Sequence, residues 1–185
     1  MKRILVDSRD FGTRIGIVED GLLMELVYEP KNSMPIVGNI YAGKIMNVLP
    51  GMQAAFVDIG REKNAFLYYG NNKDDNGNVI KPKAGNDVIV QVEKAEIGSK
   101  GSVLTKKISF PGKFLVIIPN DNKIGISKKI TDSEERQRIK DIVRGLLPEG
   151  FGAIIRTDGE GKSYEVYKKE IDRLVSISEG VLKKA

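Results

Sequence analysis

Short runs of alternating apolar and polar residues fill roughly the first hundred positions, and helical spacing appears only after them. Arg3 to Val6, Thr13 to Val18 and Leu22 to Tyr28 read as strands. Between the last two, Asp20-Gly21 supplies a tight hairpin turn whose two central residues both need positive φ. The prediction is an antiparallel meander. Three strands cannot close a core by themselves, so this segment should pack onto something later in the chain or onto a part outside it. Residues 29 to 38, rich in turn formers, read as a linker.

The next section alternates again. Ile40 to Val48, Gln53 to Ile59, Ala65 to Tyr69, Asp87 to Val92 and Ser102 to Thr105 form five short runs with turn chemistry between them, as at Pro50-Gly51. Five strands between about residues 39 and 107 fit an OB-type barrel. Residues 70 to 86 are too polar and too rich in Gly and Asn for a strand or a helix and read as a long exposed excursion.

From Ile108 the pattern changes once more. A compact apolar run ends at Pro119, and Ile124 to Ser127 makes a short strand. Thr131-Asp-Ser-Glu134 has the form of a capping box, and Ile139, Ile142, Val143, Leu146 and Leu147 follow at helical spacing until Pro148 and Gly150 stop the helix. A strand is predicted at Gly152 to Arg156. A second helix should start at Ser163, with Tyr167, Ile171, Leu174, Val175 and Leu182 on its apolar face and Lys183-Lys184 suiting its C-terminal end. The fold class is therefore α+β: N-terminal strands over 1–36, a barrel over 37–107 and a small α/β unit over 108–185.

Composition narrows the chemistry. With no Cys and no His, the chain cannot build thiolate zinc sites, cysteine nucleophiles, Ser-His-Asp triads or imidazole acid-base catalysis. No apolar run approaches the ~20 residues that span a bilayer, and Asp7 follows the short apolar start at once, unlike a signal peptide. The expectation is a cytoplasmic protein with no membrane partner. Net charge is +5, and all of the excess lies after residue 105, where 17 Lys and Arg face 12 Asp and Glu. That balance favours contact with phosphate, as it also favours an ordinary solvated surface.

Two stretches carry candidate chemistry. Phe56 and Phe66 stand ten residues apart on neighbouring strands, beside the small Ala54, Ala55 and Ala65. A nucleic-acid base stacked on such a ring contributes ~1 to 3 kcal/mol, so the pair could hold a single strand; the alternative is that both rings fill the barrel interior. A turn from Lys94 to Gly101 adds two basic candidates, Lys94 and Lys100. The second stretch is Arg156-Thr157, before a glycine-rich loop and a helix N-terminus. A guanidinium fork, a hydroxyl and free backbone amides would suit a single phosphate monoester, against the plainer reading of a solvent-exposed loop. Gly161-Lys-Ser163 ends like a P-loop, but Arg156 stands where a P-loop needs its first glycine, which excludes ATP or GTP there. Asp74-Asp75-Asn76-Gly77 lacks the ligand spacing and closing glutamate of a calcium loop. Asp7, Asp20 and Asp58 are scattered, with nothing to bring them together for two-metal catalysis.

Taken together, Asn39-Ile-Tyr-Ala-Gly-Lys-Ile45, Val48-Leu-Pro-Gly-Met-Gln-Ala-Ala-Phe-Val-Asp-Ile-Gly60, Ile108-Ser-Phe-Pro-Gly-Lys-Phe-Leu-Val116, Lys123-Ile-Gly-Ile-Ser-Lys-Lys-Ile130, Leu147-Pro-Glu-Gly-Phe-Gly152 and Ile154-Ile-Arg-Thr157 resemble the N-terminal region of the bacterial RNase E/G endoribonucleases, over essentially the whole chain. The resemblance implies an S1-type RNA-binding domain inserted after the first strands of an RNase H-like subdomain, followed by a 5′-sensor subdomain. It gives Phe56, Phe66 and Lys100 the role of gripping single-stranded RNA; Lys94, on the same turn, remains a candidate from its charge alone. To Arg156 and Thr157, with backbone near Gly112 and Val116, it gives recognition of a 5′-monophosphate. Ala42 stands where the family often has a lysine. The family's magnesium-binding aspartates and zinc-binding cysteines lie in later domains, so the resemblance implies no cofactor in this chain. It also implies partnership with the catalytic remainder of a family chain and homo-oligomers of a full-length parent.

The expectation is thus an RNA-holding portion that does not cut by itself. Two alternatives remain: a self-sufficient magnesium nuclease built on local carboxylates, which cleavage of labelled RNA would reveal, and a structural or assembly module, whose partner binding would not respond to salt.

Overall fold

The computed structural model describes residues 1–30, 35–72, 77, 79–97 and 100–183. The linker at 31–34, most of the calcium-like Asp74-Asp75-Asn76-Gly77, part of the polar excursion and Lys184 lie outside the described residues. The chain divides into two units, residues 1–36 and 37–185.

The first unit is a three-stranded antiparallel sheet in sequence order, β1 (Lys2–Arg9), β2 (Gly12–Glu19) and β3 (Leu22–Pro30). Asp20 and Gly21 adopt φ of 50° and 86°, the positive values that the hairpin between β2 and β3 requires. Alternation puts apolar side chains on the sheet, yet its own three strands supply no layer to cover them. Ile4, Val6, Leu22 and Leu26 are all more than half exposed.

The second unit opens with a closed five-stranded barrel: β4 (Ile40–Leu49), β5 (Ala54–Asp58), β6 (Ala65–Tyr68), β7 (Asp87–Lys94) and β8 (Val103–Thr105). They pair in the order β4-β5-β6-β8-β7, β7 returning to β4, which is the order of an OB-type barrel. Only β6 and β8 run parallel. Period-2 alternation sends Ala55, Val57, Ala65, Leu67, Val90, Val92 and Leu104 inward as the barrel core.

Behind the barrel stands a four-stranded sheet in the order β11-β12-β10-β9, made of β9 (Phe110–Pro111), β10 (Leu115–Pro119), β11 (Ile124–Ile126) and β12 (Phe151–Ile155). Two helices, α1 (Ser133–Leu146) and α2 (Tyr164–Leu182), pack on one face. Leu115, Ile117, Ala153 and Ile155 from the strands meet Ile139 and Val143 from α1 and Tyr167, Ile171 and Leu174 from α2 in one core. The helix start differs by one residue from the expected capping box. Asp132, not Thr131, accepts from the Glu134 and Glu135 amides, and its negative charge suits the helix N-terminus better than a hydroxyl. Gln91 fastens barrel to sheet: its buried amide donates to the carbonyls of Gly38 and Ser109, both at 2.9 Å, and its oxygen accepts from the Ser109 amide at 2.9 Å.

Candidate nucleic-acid interface

Alternation along β5 and β6 decides where the phenylalanines point. Ala55 and Val57 are buried, so Phe56 between them faces out; Ala65 and Leu67 do the same for Phe66. The two residues are direct cross-strand partners, their ring centroids 6.2 Å apart and their planes at 75°. Both are half-buried, so neither is sealed in the core. They do not make one flat shelf, however: in this edge-to-face arrangement one ring covers part of the other.

Register carries the row further around the barrel. Phe56 pairs with Phe66, Phe66 with Val103, and Val103 with Lys94, so both rings and one lysine lie on a single transverse band of outward positions. Lys94 is exposed at the end of β7, and exposed Lys100 bridges Ile97 across the turn that follows. Neither lysine makes an ion pair with a carboxylate among the described residues. Nearby, Arg61 is held by Glu96 at 3.0 Å, and that carboxylate pushes the guanidinium pKa up.

Arg156 follows the last residue of β12, and alternation puts it on the open face of the sheet with exposed Ile154. Among the described residues no carboxylate holds it. Its Nη1 donates to the Gly112 carbonyl at 2.8 Å, while its own amide donates to the Phe114 carbonyl at 2.8 Å. Thr157 Oγ1 lies 3.1 Å from Ser127 Oγ at the end of β11. These groups line a shallow cavity of about 400 Å³ with Ile154 and Asp158. Val116 lies across β10 from Ile154 and beside Pro111, on the same open face.

The amides expected to be free are mostly engaged. Gly112 N–H donates to the Leu115 carbonyl at 2.8 Å. In the glycine-rich loop, the amides of Gly159, Glu160 and Lys162 close tight turns onto the carbonyls of Arg156, Thr157 and Gly159. Gly161 N–H donates to Glu135 Oε1 at 2.8 Å. A short loop between a strand and a helix satisfies its own backbone first, so what it can offer a phosphate is mainly the Arg156 guanidinium and the two hydroxyls.

Three supports were not foreseen from the sequence. Glu170 of α2, 8% exposed, accepts from the backbone amides of Lys113, Phe114 and Leu115 at 2.6, 2.9 and 3.2 Å and so shapes the loop on which Arg156 leans. A Cβ on Gly112 would come within 2.7 Å of the Glu170 carboxylate and 2.9 Å of the Leu115 carbonyl, which only glycine avoids. Buried Tyr167 donates to the Gly159 carbonyl at 2.7 Å, and burial pushes its hydroxyl pKa up to about 12. Glu135 and Arg138 of α1 clasp each other at 2.6 Å and hold Gly161 and Lys162 from the far side; the guanidinium, then the Gly161 amide, lowers the Glu135 pKa to about 2. Glu170 left one signal, a charge standing between Tyr167, Ile171 and Leu174 on an apolar helix face.

Asp7, Asp20 and Asp58 each have other bonds. Asp7 is held by Arg9 at 3.0 Å and Arg14 at 2.6 Å, Asp20 pairs with the chain's amino terminus, and Asp58 accepts from the Gly60 amide at 2.8 Å. Among the described residues no three Cys, His, Asp or Glu side chains group as ligands for a metal ion. No helix among them is long and apolar enough to cross a membrane.

Comparison with known proteins gives a consistent result. The model of the Ribonuclease E/G family matches residues 109–185. Ribonuclease G of Haemophilus influenzae is 40% identical over 186 aligned residues, covering 93% of this chain, and Ribonuclease G of Escherichia coli is 37% identical, covering 85%. Ribonuclease E of Escherichia coli is 36% identical across the full chain. The chain spans 38%, 35% and 19% of the lengths of these three relatives.

Proposed function

The chain belongs to the ribonuclease E/G family, and on that premise we propose that it recognises single-stranded RNA in two places. Residues 37–107 hold the strand on the barrel, with bases against Phe56 and Phe66 and phosphates at Lys94 and Lys100. Residues 108–185 read a 5′-monophosphate with Arg156 and Thr157, on the loop bearing Gly112 and beside Val116. Cutting by a magnesium centre is assigned to other parts of the family's chains, and the setting is the cytoplasm. The observation that carries the reading is the outward band of Phe56, Phe66 and Lys94: aromatic faces for bases beside a cation for phosphate is the composition of single-strand binding surfaces.

The experiment is a titration with a short single-stranded RNA. Replacing Phe56 and Phe66 together by alanine should weaken binding by ~1 to 3 kcal/mol per stacked base. Because neither ring belongs to the fully buried barrel core, the variant should stay folded, which its melting curve checks. Unchanged affinity in a folded double variant would refute the stacking claim.

A further inference from the structure

Phe114 lies in the turn between β9 and β10, and two ammonium groups stand over its ring. Lys113 Nζ is 5.4 Å from the ring centroid and Lys162 Nζ is 5.5 Å from it. The lysines come from different segments, one from the loop that Glu170 shapes and one from the loop that Glu135 and Arg138 clasp. The ring's own backbone is fixed on both sides: its amide donates to Glu170 at 2.9 Å and its carbonyl accepts from Arg156 at 2.8 Å.

Among the described residues neither lysine has an ion pair with a carboxylate. Glu135, the acid beside Gly161, is already paired with Arg138, and Glu170 is already occupied by three amides. Two like charges gathered on one ring repel, and the quadrupole of a phenyl ring offsets only part of that repulsion. An anion that reaches both would relieve the rest. A third cation touches the same loop: the Arg156 guanidinium donates to the carbonyl of Gly112, the residue before Lys113.

We propose that Lys113 and Lys162, gathered on Phe114, form a second phosphate subsite that takes the internucleotide phosphodiester next to the 5′-terminal nucleotide. This rests on the reading of Arg156 and Thr157 as the site of the terminal phosphate. With both ammonium groups over it, the Phe114 ring serves to place cations and not to stack a base. The subsite distinguishes a phosphorylated strand from a free mononucleotide, because only the strand carries the second phosphate.

The test uses the 185-residue chain and two probes, adenosine 5′-monophosphate and the 5′-phosphorylated dinucleotide pApA, titrated calorimetrically over a range of salt. The wild type should bind pApA about tenfold more tightly than the mononucleotide. A Lys113→Gln/Lys162→Gln variant should remove that difference and reduce the salt slope for pApA by about 0.7, the value for one phosphate contact on a single strand. Lys113→Arg/Lys162→Arg should restore both, and melting temperatures should match throughout. A glutamine variant that keeps the wild-type preference for pApA, or loses both probes to the same extent, overturns the subsite. So does a wild type that binds the two probes equally, an outcome that leaves the terminal-phosphate reading standing. A wild type that binds neither overturns both.

Discussion

The barrel and the four-stranded sheet present their candidate sites in opposite ways. On the barrel, the candidate site is written in side chains: neighbouring strands place Phe56 and Phe66 opposite each other, and the buried residues beside each ring turn it outward. On the sheet, the candidate site depends on a backbone path that distant residues hold in shape. Arg156 leans on the Gly112 carbonyl, Glu170 from α2 gathers three amides of the same loop, and Tyr167 and Glu135 fasten the loop opposite. A site made of side chains fails one contact at a time. A site made of held backbone fails when its holder is lost.

The largest expected effect follows from that difference. Glu170→Ala would leave three amides, one buried and two part-buried, without their acceptor, which should destabilise the second unit by about 3 to 5 kcal/mol. Thermal unfolding would show this directly. End-phosphate binding should disappear while the barrel's affinity for 5′-hydroxyl RNA, measured below the lowered midpoint, persists. Glu170→Gln keeps one oxygen acceptor and should lose less. If Glu170→Ala left the midpoint unmoved, the loop would not depend on α2 and the contrast between the two sites would collapse.

Next in size is Arg156→Gln. It removes an exposed guanidinium with no acid partner, so stability should hold, while the preference for 5′-monophosphorylated over 5′-hydroxyl RNA should fall about tenfold, as for one charge-assisted contact. Equal loss with both RNAs would show Arg156 to be a general phosphate contact and not a reader of the end.

The smallest effect concerns Glu135. Its pKa is about 2 in the folded chain against an ordinary 4.5, so the stability it contributes is present above about pH 4.5 and is lost as the pH falls towards 2. Glu135→Gln should therefore lower the melting temperature near neutrality and flatten its fall across that acid range. Parallel acid curves for variant and wild type would show that the clasp on Gly161 contributes nothing.

What could be read from the sequence follows the same division. Period-2 alternation located all five barrel strands, and the hairpin at Asp20-Gly21 followed from the φ its turn demands. The two phenylalanines could be singled out by the small residues beside them, but whether they faced outward stayed open, because strand parity says which residues share a face and not which face is buried. The supports of the second site could not, because the partners of Glu170 lie 55 to 57 residues away and are backbone atoms, which leave no trace in residue type. The engaged amides of the glycine-rich loop were missed for a related reason: composition shows that such a loop can turn, but not which carbonyls its turns close upon.

The pairing of Phe56 with Phe66 also gives the barrel a form of error checking. A slip of one residue in β6 would turn Phe66 inward and push Ala65 and Leu67 out to solvent, so the outward aromatic pair and the interior would be lost in one event. A population of these molecules therefore cannot contain a well-packed barrel with a blank face; any copy sound enough to escape proteolysis already carries its rings on the outside.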